Sequence, residues 1–127
     1  MSLLAILPAV AADRSMGFGV DFGGTPGRWN AITDVPGVSV GHVTLISGQG
    51  VLRRGEGPVR TGVTAVLPRG QDRMAEPVFA GLYSMNGNGE LTGSYWVAES
   101  GLLSGPIMLT GTTGVGAVRS AVADWGA

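Results

Sequence analysis

Glycine limits this chain to short regular elements joined by tight connections. It occupies 23 of 127 positions, about 18% against roughly 7% in ordinary domains. Each glycine weakens the interior of a helix or strand and frees the backbone for turns and close approach. The chain is nonetheless built to fold. Hydrophobic residues make up 44% of it, charged residues 13% and mean hydropathy is +0.29, the opposite of a disordered polyelectrolyte. The length suits one domain.

Several chemistries are excluded by what is missing. All eight basic residues are arginine, so neither a P-loop lysine nor a Schiff-base lysine comes from this chain. Without cysteine there is no thiol catalysis, disulfide or thiolate zinc site, and the one histidine, His42, does not make a two-histidine zinc site. Eight basic against nine acidic residues, with no block of either sign, argue against nucleic acid as a partner. No cofactor is implied.

Residues 1–12, MSLLAILPAVAA, form a short apolar run ending in Ala9-Val10-Ala11. Two readings stay open. One is the remnant of an export signal, which points to a periplasmic or secreted protein, although no basic residue precedes Arg14. The other is a buried N-terminal strand or helix. The run is too short, and too interrupted by Pro8, to span a bilayer, so no membrane partner is expected.

Residues 13–37 read as a glycine-rich connection with a turn at Asp34-Val35-Pro36-Gly37. Alternation then predicts strand at Val38–Val40 and again, in the opposite phase, at Val43–Leu45. A bulge or bend at Gly41-His42 is the expected cause of the phase change. A polar connection over 47–58 leads to a strand over 59–67, closed by Pro68-Arg69-Gly70. Residues 78–83 read as a third strand or a short buried helix, and 106–110 as a strand. In 91–102, Leu91, Tyr95, Ala98 and Leu102 follow helical spacing while Leu91, Gly93, Tyr95 and Val97 follow strand spacing, and the segment reads as helix before strand. Val115, Val118, Val122 and Trp125 predict a helix over 115–125, with Thr113 as its N-cap. This order is mixed α/β. Trp96, Trp125 and the methionines are expected in the core. The helix's apolar face has no following element to cover it, so the chain reads as part of a domain.

Three groups could carry chemistry. Asn86-Gly87-Asn88-Gly89-Glu90 places two amides and a carboxylate on a tight loop, suited to an ammonium beside a carbonyl oxygen; a type I′ hairpin turn with a solvated Glu90 is the structural alternative. Thr110–Gly116 joins a strand to a helix and suits helix-on-strand packing better than phosphate, since it is neither Walker A nor a dinucleotide fingerprint. His42 reads as a hydrogen-bonded structural residue, and Arg53-Arg54 as a solvated loop.

Four ordered blocks carry a resemblance: Trp29 through Thr44, Gly57-Pro58-Val59-Arg60-Thr61-Gly62-Val63-Thr64, Asn86 through Gly93, and Glu99-Ser100-Gly101 through Pro106-Ile107. Over about residues 17–125 the chain resembles the L-aminopeptidase/D-esterase and β-aminopeptidase family. The resemblance implies an αββα sandwich similar to N-terminal-nucleophile hydrolases, of which only the N-terminal part is present, residues 13–127 forming that part of a single hydrolase domain.

The resemblance also implies a precursor that cuts itself ahead of a serine. That serine heads a second chain and acts as nucleophile, with its own α-amine as base. Small peptides, aminoacyl amides and esters are the implied substrates, and homo-oligomers of cleaved heterodimers the implied assembly. Glu90 matches the position that binds the substrate's amino group, with Asn88 and Asn86 as neighbours. No catalytic residue is assigned in this chain, because the nucleophile belongs to the C-terminal partner chain; alone, these residues are expected to be inactive. Relatives carry Thr-Asn-Thr where this sequence has Thr110-Gly111-Thr112. An acyltransferase of the ornithine acetyltransferase type and a truncated, non-catalytic paralogue are the alternatives.

Overall fold

The computed structural model describes residues 23–126, in two units, 23–38 and 39–126. The expected export remnant or strand over 1–12 lies outside the described residues.

In the first unit, the Asp34 carboxylate organises a loop. It accepts hydrogen bonds from the backbone N–H groups of Trp29 (2.9 Å) and Ala31 (3.0 Å). The loop turns back at Asn30, which takes a left-handed φ of 46°, and closes on a 3-10 turn, Ile32–Asp34. Gly27 must lack a side chain here, since a Cβ would lie 2.5 Å from Asp34 Cγ. The expected turn forms one residue later than the sequence suggested: Val38 N–H donates to Val35 O, with Pro36 and a left-handed Gly37 between them.

Donation from Ala31 and then Trp29 holds the Asp34 carboxyl below the ordinary aspartate value. The bonded loop is therefore complete above that ordinary value and is lost as pH falls through the lowered one. Asp34→Ala should speed amide exchange at Trp29 and Ala31 at neutral pH. The unaltered chain should show the same change only on acidification, and identical neutral exchange in both would refute the clasp.

The second unit is built on a three-stranded antiparallel sheet formed, in spatial order, by Ser39–Ser47, Val59–Leu67 and Ile107–Leu109. Strands β1 (Ser39–Ser47) and β2 (Val59–Leu67) pair residue for residue, from Ser39↔Leu67 to Ser47↔Val59. The bulge expected at Gly41-His42 is absent. The phase change instead reflects apolar side chains on both faces of one straight strand, Val40 and Ile46 on one side and Val43 and Leu45 on the other. Strand β5 (Ile107–Leu109) pairs with the far end of β2, from Val66↔Ile107 to Thr64↔Leu109.

A second, two-stranded sheet pairs β3 (Val78–Phe79) with β4 (Leu102–Leu103). Between them lies α1 (Ser94–Ser100), shorter than the 91–102 reading. The reason is local: Gly93 and Gly101 both take left-handed φ, 91° and 68°, and so bracket the helix. Leu91 and Leu102, which fitted the helical spacing, fall outside it. The 78–83 segment is strand only at its first two residues, and no helix forms there.

Helix α2 (Val115–Trp125) has the expected bounds, but Thr113 is not its N-cap. A 3-10 turn, Thr112–Gly114, runs into the helix, and Gly114 N–H donates to Gly111 O at 2.8 Å, so backbone replaces the hydroxyl. Among the described residues only Val66 and Val97 are buried. Trp96, Trp125 and Met85 are exposed rather than core, while Val115, Val118 and Val122 are half-buried along α2. Two small sheets and two short helices leave every residue of β1 exposed. No described helix is long and apolar enough to cross a membrane.

Candidate functional site

The Asn86–Glu90 loop lies between β3 and α1 and joins no paired strands, so it is not a hairpin. A type I′ turn is excluded as well, because neither Asn86, Gly87 nor Gly89 has a positive φ. The loop instead closes on its own side chain: Asn88 N–H donates to Asn86 Oδ1 at 2.9 Å, an Asx turn. Ser84 Oγ donates to Asn86 O at 2.7 Å and fixes the approach. Asn86 thus shapes the loop, while the side chains of Asn88 and Glu90 are exposed and have no hydrogen-bond partner among the described residues. A carboxylate left in this state offers a strong acceptor to an ammonium group.

His42 has the structural role expected from its sequence setting. Its Nδ1 lies 2.6 Å from Thr64 Oγ1, on the facing strand, and its Nε2 lies 2.7 Å from Thr44 Oγ1. No described carboxylate or serine bonds the ring, so the described residues form no serine–histidine–aspartate relay. The two threonines were not singled out from sequence; only the β1–β2 register brings Thr64 opposite His42.

The turn after β5 is anchored by a second unforeseen residue. Thr110 Oγ1 donates to Gly62 O at 3.2 Å, extending the β2–β5 contact past its last ladder pair. Gly114 leaves room for that hydroxyl, since a Cβ there would approach it to 3.0 Å. Gly111 has φ −64° and ψ 146° with nothing within 4 Å of an added Cβ. An asparagine therefore fits at 111 without backbone strain or collision. Among the described residues, no group of three or more His, Asp or Glu is arranged to hold a metal ion.

Known proteins resemble this chain in structure and in sequence. The chain superimposes on the L-aminopeptidase/D-Ala-esterase/amidase of Ochrobactrum anthropi, described as a prototype serine aminopeptidase and a variant of the Ntn hydrolase fold. The TM-score is 0.75 at 43% identity, over 88% of this chain and 31% of that one. It superimposes equally on a β-aminopeptidase from a Burkholderia species, with TM-score 0.73 and 50% identity, over 86% of this chain and 30% of that one. It is 54% identical over 123 residues to the β-peptidyl aminopeptidase BapA of Sphingosinicella microcystinivorans, covering 97% of this chain and 31% of the relative. The fold is thus the α/β fold of the Ntn-hydrolase type, in its N-terminal portion.

The profile of peptidase family S58 matches residues 30–127, and the chain belongs to that family. It spans about a third of the length of the relatives it matches.

Proposed function

We propose that this chain is the N-terminal portion of a self-processing serine aminopeptidase that removes N-terminal residues from small peptides, aminoacyl amides and esters. The observation that carries this reading is the free Glu90 carboxylate, held on an asparagine loop in a chain of peptidase family S58. An aminopeptidase must tell a substrate with a free amino terminus from one without it, and a carboxylate facing an ammonium does so directly. Glu90 receives the amino group, and Asn88 and Asn86 line the same loop.

The nucleophile comes from a second chain of the same precursor. Its serine hydroxyl adds to the scissile carbonyl and gives its proton to the serine's own α-amine. That proton passes to the departing amine as an amide's carbon–nitrogen bond breaks, or to the departing alcohol as an ester's carbon–oxygen bond breaks, and water then hydrolyses the acyl-enzyme. The second chain also covers the faces of β1 and β2 that this one leaves open, and the cleaved heterodimers assemble as homo-oligomers.

Denaturing mass spectrometry of the natively purified full-length protein tests this. Two chains are expected, the second beginning with serine. A single uncut chain that still hydrolyses aminoacyl amides would overturn the mechanism.

A further inference from the structure

The backbone that carries Glu90 has little of its own to hold it. Two of the five residues over 86–90 are glycine, and neither Gly87 nor Gly89 has a left-handed φ or anything within 4 Å of an added Cβ. Packing therefore fixes neither of them, and glycine has the most backbone freedom to lose on ordering. Among the described residues, no main-chain N–H from 84 to 90 bonds a main-chain carbonyl. Two side chains take over that work. Ser84 Oγ donates to Asn86 O at 2.7 Å, and Asn86 Oδ1 accepts from Asn88 N–H at 2.9 Å. The two bonds act in series: the hydroxyl sets the Asn86 carbonyl, and the Asn86 amide sets the Asn88 N–H.

Beyond Glu90 the chain is fixed again. Ser94 N–H donates to Leu91 O at 3.3 Å, and Val97 N–H to Gly93 O at 3.1 Å. Left-handed Gly93 turns the chain into α1, whose Val97 side chain is buried. Only Gly89 and Glu90 separate the Asx turn from this second tether. The place of the carboxylate follows from the two tethers on either side of it. Freed from the first, it would spread over many positions, and substrate would have to order it on binding.

We propose that Ser84 and Asn86 are positioning residues for the amine-binding carboxylate: they set the backbone that presents Glu90 and act on the reaction through it. The proposal rests on the reading that Glu90 receives the substrate's amino group, and it names what holds Glu90 in place to do so.

The test uses full-length protein and one aminoacyl amide in two forms, with a free amino group and N-acetylated. Ser84→Ala should lower kcat/KM for the free amine about three- to tenfold, the net effect of one lost neutral hydrogen bond, and leave the acetylated form unchanged. Ser84→Thr keeps the hydroxyl and should restore most of the loss. Asn86→Ala should behave as Ser84→Ala does. In a Glu90→Gln background, Ser84→Ala should cost less than about twofold more, because no charged group is left to position. A residue that only stabilises the fold would instead slow both substrates alike and cost the same in either background. Equal losses on the two substrates, full additivity with Glu90→Gln, or unaltered kinetics in both Ser84→Ala and Asn86→Ala overturns the positioning role and leaves the reading of Glu90 standing. A Glu90→Gln protein with undiminished activity on the free amine overturns both.

Discussion

Replacing Glu90 with glutamine in the full-length protein lowers kcat/KM for substrates with a free amino terminus by about 30- to 1000-fold, the equivalent of about 2–4 kcal/mol for a lost charge-assisted contact. Glutamine keeps the size of the side chain and its place beside the Asx turn, so the change removes charge and little else. The loop's shape depends on Asn86 Oδ1 and Ser84 Oγ, not on Glu90, and folding should be untouched. The loss should vanish for N-acetylated analogues, which present no ammonium. Steady-state kinetics on one amide with and without acetylation separates the cases. Equal catalytic efficiency of Glu90→Gln and the unaltered enzyme on the free amine would remove Glu90 from the site.

The second large effect is expected at Gly62, which pairs with Thr44 in the middle of the β1–β2 ladder. A Cβ at 62 would lie 2.7 Å from Val43 O, a main-chain atom held in the same ladder. Nothing flexible stands in the way to yield. Gly62→Ala must therefore push β1 off β2, at a cost of about 2–3 kcal/mol. It also disturbs the carbonyl that receives Thr110. Gly41, on β1 itself, is the internal control: its φ is not left-handed, and nothing lies within 4 Å of an added Cβ. Gly41→Ala should change stability by less than about 1 kcal/mol. Denaturant midpoints of the two variants decide the matter, and equal shifts would mean that the close approach at Gly62 is not what requires glycine there.

Strand β2 and helix α2 were legible to the residue because each carries one unbroken period. Other elements failed for identifiable reasons. Apolar residues on both faces of β1 mimic a slip in phase, which alternation alone cannot distinguish from a bulge. In 91–102, two spacings compete, and the left-handed glycines at 93 and 101 decide between them. Trp96 and Trp125 look like core by composition, yet burial needs a facing layer, which one segment's sequence does not describe. Around the candidate site, the Asn-Gly pair suggested a hairpin, whereas the Asn86 side chain competes for the backbone and makes its own turn. The partners of His42 and Thr110 were not legible, because they depend on register and on contacts far along the chain.

The two-faced character of β1 has a consequence for strand alignment. In most half-buried strands, a shift by one residue is forbidden because it turns the oily side to water. Strand β1 is apolar on both sides and lacks that safeguard. His42 supplies a substitute: its ring meets Thr44 on its own strand and Thr64 across the ladder only when the two strands are correctly aligned. A one-residue shift would carry the imidazole to the other side of the sheet and separate it from the Thr64 hydroxyl. The only histidine in the sequence thus works as an alignment key, distinguishing one pairing from another that hydrophobicity would accept almost as readily.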